Sequence, residues 1–286
     1  VVIATRDRAD ELSSTVRKLL GLRPRPPVIV LDNASEDDTA ERVSAVACGV
    51  PDFRLISLTR NAGAAARNLG VQMAQTPYVA FSDDDSWWAP DALPRAEAIL
   101  DEHPRVGLLA ASTLVGPREV RDPVCDLMER SPLGGAPDLP GPRVLGFLAC
   151  SAIVRRTAFL DAGGFSHLLH FAAEEKLLSY DLAARGWELC YVSQLRAHHH
   201  PSSRRPPSDR RRNLELRNNA LIAWMRRPVW TGVGAGTALA RALAREPGAS
   251  AAALGALLRL PRALLERRPL PGEIEARVRL LEGESR

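Results

Sequence analysis

Short apolar runs alternate with amphipathic stretches from Val1 to Ser82. "VVIAT" (1–5), "PPVIVLDNAS" (26–35), "FRLISLT" (53–59) and "YVAFS" (78–82) read as strands of near-continuous apolar character. Between them, Leu12, Val16, Leu19 and Leu20 share one face of a helix over 9–20. "SEDDTAERVSAVA" opens a second helix with Ser35 as its expected N-cap and acidic residues in its first turn, and "AGAAARNLGVQMAQ" (62–75) reads as a third. This β-α-β-α-β-α-β order predicts a parallel sheet covered by helices on both faces.

In such sheets ligands gather beyond the carboxyl ends of the strands. Thr5 and Asp7 follow the first strand, Asp32 ends the second, and Asp83, Asp84 and Asp85 follow the fourth, so they are expected on one rim. Three adjacent carboxylates repel one another and resist burial, which calls for a cation or for solvent to absorb their charge.

Beyond Trp88 the pattern gives a helix over 91–102, a strand over 106–113, a Pro/Gly-rich loop over 116–142 and renewed strand character over 144–156. A short helix capped by Gly163 and Gly164 follows, then a helix over 174–186 and a last strand over 188–193 that delivers the chain to His198, His199 and His200. From about Asn213 onward the chain reads as helical, broken at Pro247, Pro261 and Pro269 to Pro271. Within 250–268, Leu254, Leu257, Leu258, Leu264 and Leu265 form an apolar stripe beside arginines. Two readings fit it: packing onto the main domain, and contact with a membrane surface.

Composition narrows the class. The 286 residues, 45% hydrophobic and 25% charged, suffice for one large α/β domain or a domain with an appendage, and no apolar run approaches the ~18 residues of a membrane span. Only Lys18 and Lys176 among the 38 cationic residues are lysines, as coding bias would produce, and aromatics make up 5%. The net charge of +4 therefore gives no support to a nucleic-acid binder. Cys48, Cys125, Cys150 and Cys190 lie far apart with no CxxC pair, as expected of reduced thiols in a cytoplasmic protein without a zinc site or disulfide framework.

The motifs, in their order, resemble family 2 nucleotide-sugar glycosyltransferases over roughly residues 1–225. "VVIATRDR" opens the chain, "VIVLDNASEDDT" stands where the family writes VDNGSxDxT, "RNAGAAARNLG" matches NxGxxxARNxG, and "FSDDDSWWAPDAL" matches the segment carrying the DxD motif. "AGGF", an acidic pair before a helix and a histidine after the final strand complete the set. The resemblance implies a GT-A fold, a Rossmann-like, mostly parallel central sheet flanked by helices, with a helical C-terminal extension. Its domains would be 1–115 for the nucleotide sugar, 116–215 for the acceptor, and 216–286 for the extension.

It also implies chemistry. A metal-dependent inverting transferase would move a sugar from a UDP-, dTDP- or GDP-linked donor to a hydroxyl acceptor, with Mn²⁺ or Mg²⁺ offsetting the charge of the departing diphosphate. Asp85 is the expected direct metal ligand, Asp83 a partner to metal or ribose, and Asp84 an alternative. Thr5, Asp7 and Asp32 would surround base and ribose, Arg67 would reach the base or phosphates, and Asn61 with Gly63 would shape the turn of the nucleotide site. In "FAAEEKLLSYDLAARGW", Glu175 takes the place of the general base and Glu174 that of its neighbour, although the family usually writes Glu-Asp. His199 is the histidine expected at the metal, with His198 and His200 as competitors, and Arg204 and Arg205 could clamp a diphosphate. Contact of the C-terminal helices with the inner face of a membrane stays open. So do two rival functions: a sugar nucleotidyltransferase, disfavoured because "ATRDRADEL" has no glycine, and a non-catalytic nucleotide-sugar-binding protein.

Overall fold

The computed structural model describes residues 1–202, 208–245 and 249–283. Its first half follows the apolar pattern closely. Strands β1 (Val2–Thr5), β2 (Val28–Asp32), β3 (Phe53–Ser57) and β4 (Tyr78–Ser82) alternate with helices α1 (Ala9–Leu20), α2 (Thr39–Val46) and α3 (Ala66–Met73). The strands pair in parallel in the order β3-β2-β1-β4. On one face Leu12, Val16 and Leu19 of α1 bury against Ile3, Val28 and Val30. On the other, α3 lies so close that a Cβ on Gly70 would stand 2.6 Å from Val2 and 2.8 Å from Leu31, so only glycine fits there.

From β4 outward the sheet becomes mixed. After β5 (Ser86–Trp88), α4 (Ala92–Glu102), β6 (Val106–Val115), β7 (Val120–Arg121), α5 (Pro123–Glu129), β8 (Ala152–Arg155), α6 (Arg156–Ala162) and α7 (Glu174–Ala184) comes the long strand β9 (Glu188–His199). The sheet continues β4-β8-β6-β9-β5, with β7 on β6; β8 runs antiparallel to β4 and β6, and β9 runs parallel to β6. Four helices close the chain: α8 (Ser208–Arg226), α9 (Val229–Arg245), α10 (Ala249–Leu265) and α11 (Gly272–Leu281).

Several local expectations are corrected. Ser35 does not cap α2, which begins at Thr39; its hydroxyl bonds Asp32 Oδ1 at 2.5 Å and accepts from the Asp7 N–H at 2.9 Å. The third helix opens as a 3₁₀ turn at Gly63–Ala65, and only Ala152–Arg155 of the 144–156 stretch is strand. The Pro/Gly-rich loop contains α5, started by Asp122, whose carboxylate accepts from Val124 N at 2.9 Å while Pro123 needs no partner at the first position. The last strand does not stop at Ser193 but runs on to His199.

The C-terminal helices are not a loose appendage. Leu221, Ile222 and Met225 of α8 and Ile274 and Val278 of α11 join the same buried cluster as Phe81, Phe159 and Leu177. Two buried ion pairs fasten them: Arg226 to Asp181 of α7 at 2.5 and 3.0 Å, and Arg227 to Glu275 of α11 at 2.7 and 3.1 Å. The leucine stripe of α10, however, faces outward. Ala252, Ala253 and Ala256 form the buried face, where small side chains admit close approach to Ala220 of α8. Among the described residues no helix is long and apolar enough to cross a membrane.

Candidate active site

The rim beyond β1 and β4 gathers the aspartates, and each member of the triplet turns to a different partner. Asp83 Oδ1 receives Nη2 of Arg67, a buried side chain from α3, at 2.5 Å. Asp84 accepts from the Thr5 hydroxyl at 2.9 Å, and Thr15 of α1 bonds its carbonyl at 2.8 Å. Asp85 is buried, with its Oδ1 3.3 Å from Nε2 of His199 and its Oδ2 accepting from Ser202 N at 3.0 Å.

Strand register selects the histidine. In the antiparallel pair β5–β9, Ser86 opposes His199 and Trp87 opposes His198, so alternate residues of β9 point to opposite faces. His199 meets Asp85, whereas His198 stacks on Trp87 at 5.4 Å and pairs with Glu119 at 3.0 Å. His200 meets the Trp87 ring edge-on. Arg204 and Arg205 lie outside the described residues.

Crowding shows in the protonation of the triplet. Burial, then the charges of Asp83 and Asp85, push the Asp84 carboxyl up to about 7. A divalent cation fits this surplus of negative charge. Asp83, Cys150 and His199 each offer a ligand atom, and these atoms lie within 4.8 Å of one another, with Asp85 beside them. Cys150 went unread in the sequence, because nothing in its spacing links it to the aspartates. Its thiol is pushed well above the usual range by burial, then by Asp83, Asp85 and Glu175, and so stays neutral.

The acidic pair stands within electrostatic reach of the same rim. Glu174 and Glu175 open α7, and both feel the charges of Arg67 and Asp83. Glu174 is 4% exposed, and its Oε2 finds no hydrogen-bond partner among the described residues. Burial, then the neighbouring Glu175, raises its carboxyl to about 8. Burial raises Glu175 as well, but backbone N–H groups, including that of Ala149, and the charge of Arg67 oppose the rise.

What positions this pair was not legible as a motif. The approach to α7 passes through three non-glycine residues with left-handed backbones, His170 (φ 66°), Ala172 (φ 72°) and Ala173 (φ 60°), a conformation that costs about 1–3 kcal/mol per residue. Asn218 of α8, fully buried, holds them through one amide, donating to the carbonyls of Leu169 (3.1 Å), Phe171 (2.8 Å) and Ala172 (2.5 Å). Arg217 adds a bond to Leu169 O at 2.8 Å. From the other side the Ala64 N–H donates to His170 O at 2.8 Å, and a Cβ on Gly63 would stand 2.1 Å from that oxygen.

The remaining expected residues divide. Asp7 and Asp32 are joined through Ser35, and Asp7 accepts from Glu36 N at 2.7 Å, which holds its carboxyl below the usual range. Asp32, opposite Thr5 in register, is buried and spends Oδ1 on its own turn. Asn61 is exposed and folds back on Gly63 N at 2.8 Å; Asn33, not Asn61, ties that turn to β2.

Comparison with known proteins gives the family and the fold. Residues 1–162 match the family model described as Glycosyl transferase family 2. A pre-mycofactocin glycosyltransferase from Mycobacterium tuberculosis is 30% identical over 270 residues, covering 82% of this chain and 53% of that protein, so the chain spans about half the length of this curated relative. Among solved structures, a mannosyltransferase from Pyrobaculum calidifontis, in complex with GDP-Man and Mn²⁺, superposes with a TM-score of 0.62 at 20% identity, over 99% of this chain and 87% of that one. S. aureus TarS 1–349 with UDP-GlcNAc gives 0.60 at 16% identity, over 96% and 82%. At these identities the structural likeness establishes a shared GT-A fold.

Proposed function

From the premise that the chain belongs to glycosyl transferase family 2, we propose that it is a metal-dependent inverting glycosyltransferase, taking a sugar from a nucleoside diphosphate donor to a hydroxyl acceptor. The carrying observation is that Arg67, bonded to Asp83, also acts on Glu174 and Glu175, while His199 stands beside Asp83 and meets Asp85. Residues 1–115 would bind the donor, with Thr5, Asp7 and Asp32 toward its base and ribose, and residues 116–215 the acceptor.

Asp83, Asp85 and His199 would hold Mn²⁺ or Mg²⁺, whose charge offsets that of the departing diphosphate. Glu175 is the base. Burial and the neighbouring charge raise the Glu174 carboxyl to about 8, whereas at Glu175 backbone N–H groups and Arg67 oppose the rise, which favours Glu175 for the acid-base role. Glu175 takes the proton of the acceptor hydroxyl as that oxygen bonds the anomeric carbon. The bond from that carbon to the diphosphate breaks with its electron pair, and attack from the opposite side inverts the configuration. Arg67, bonded to Asp83, opposes the rise of the Glu175 carboxyl and faces the developing negative charge.

Four free thiols among the described residues support a reducing, cytoplasmic setting. A thermal-shift panel of UDP-, dTDP- and GDP-sugars with and without Mn²⁺ tests the reading. A donor that raises the melting temperature only with the metal supports it, and no response to any donor contradicts it.

A further inference from the structure

The nine large apolar side chains that α9 and α10 expose are most of the fifteen so exposed among the described residues. On α10, Leu254, Leu257, Leu258 and Leu265 make an outward stripe at helical spacing, Leu258 72% and Leu265 88% exposed, while the inward face is alanine. On α9, Val229, Val233 and Leu243 line one side, with Trp230 next to them. An amphipathic helix normally buries its apolar stripe. Here the helices are held by their small residues, and the large ones are left over.

Charge identifies what covers them. Residues 229–268 contain six arginines and two glutamates, a surplus of four that equals the net +4 of the whole chain, so the rest of the molecule is balanced. Arg241, Arg245, Arg262 and Arg268 are exposed. A second copy pressed against this face would bring two positive surpluses together. A surface of lipid phosphates offers the opposite charge and, beneath it, an apolar layer for the leucines and Trp230. We propose that the outer faces of α9 and α10 rest on an anionic lipid bilayer, as an interfacial contact and not a span.

The consequence reaches the site through α8. Arg217, which bonds Leu169 O, packs against Gly255 of α10, where an added Cβ would stand 3.0 Å from its Cδ. The helix laid on the bilayer thus braces the segment that sets Glu174 and Glu175.

The test is sedimentation of the full chain with vesicles of mixed phosphatidylglycerol and phosphatidylcholine, and with vesicles of phosphatidylcholine alone. The wild type is expected to pellet with the anionic vesicles, at least about tenfold less with the neutral ones, and to lose its pelleting in the Leu257→Gln/Leu258→Gln variant. Those side chains are solvent-exposed, so the variant should keep the wild-type melting temperature. Trp230 fluorescence provides a second reading: a blue shift on adding anionic vesicles, reduced in Trp230→Phe. Absence of pelleting with anionic vesicles overturns the proposal. So does pelleting that the double substitution leaves unchanged, or a wild-type dimer that the same substitution splits into monomers.

Discussion

Nη2 of Arg67 lies 2.5 Å from Oδ1 of Asp83, and the same guanidinium lowers the proton affinity of both Glu174 and Glu175. One cation from α3 therefore serves the aspartate rim and the proposed base together. Arg67→Ala is expected to lose about 2 kcal/mol of stability by removing the hydrogen-bond partner of Asp83. It should also move the acid limb of the transfer rate toward alkaline pH, since the Glu175 carboxyl would lose the charge that opposes its rise. Arg67→Lys should move the limb less. A pH–rate profile unchanged in Arg67→Ala would separate this side chain from the base.

The triplet and His199 make the metal testable without turnover. Asp85→Asn and His199→Ala are each expected to weaken Mn²⁺ binding about tenfold or more in calorimetry. His198→Ala should leave it near the wild-type value, because that ring faces Glu119 and Trp87. Equal losses in the two histidine variants would contradict the strand register.

Glu174 costs stability when ionised. Its carboxyl rises from 4.5 to about 8 on folding, so between those values the folded chain binds more protons than the unfolded one, and stability falls as pH rises through that window. Below about 4.5 both states hold the proton and the effect vanishes. Glu174→Gln mimics the protonated form. It should therefore melt near the wild type at pH 5 and above it at pH 8, by up to a few kcal/mol. A wild type whose advantage grows with pH would reverse the sign and the assignment.

The loop ahead of α7 depends on one amide. Asn218→Ala strands the carbonyls of Phe171 and Ala172, since Arg217 still bonds Leu169 O, and loosens the left-handed backbone at Ala172 and Ala173. The expected loss is about 3 kcal/mol, seen as a lower melting temperature. Donor binding should persist while turnover falls, because the amide orders the segment before the acidic pair and not the proposed nucleotide rim. Unaltered turnover at a temperature where the variant is folded would show that the loop keeps its shape without the amide.

How far the sequence could be read follows from the range of each signal. The β-α alternation up to Ser82, and the gathering of aspartates it implies, rest on local periodicity and survive intact. β5 did not declare itself, since the three residues Ser86–Trp88 carry no period and its partner β9 is remote in the chain. The same pairing brings His199, and not His198, to Asp85, which adjacency alone left open. Cys150 and Asn218 reach the site only through tertiary folding, and no spacing announces them. The start of α5 was legible in principle, because Asp122 followed by Pro123 is a capping signal, but the Pro/Gly-rich surroundings masked it. The leucines of α10 show the limit of amphipathic patterning, which finds a stripe without saying which face meets the protein.

Glu175→Gln bears most directly on the chemistry. It keeps the shape of the side chain at the start of α7 while removing the proton acceptor, so nucleotide-sugar and Mn²⁺ binding should remain near wild-type strength. Sugar transfer, measured in single turnover with the donor that the thermal-shift panel selects, should fall roughly a hundred- to ten-thousand-fold. A Glu175→Gln enzyme transferring sugar at the wild-type rate would contradict the assignment.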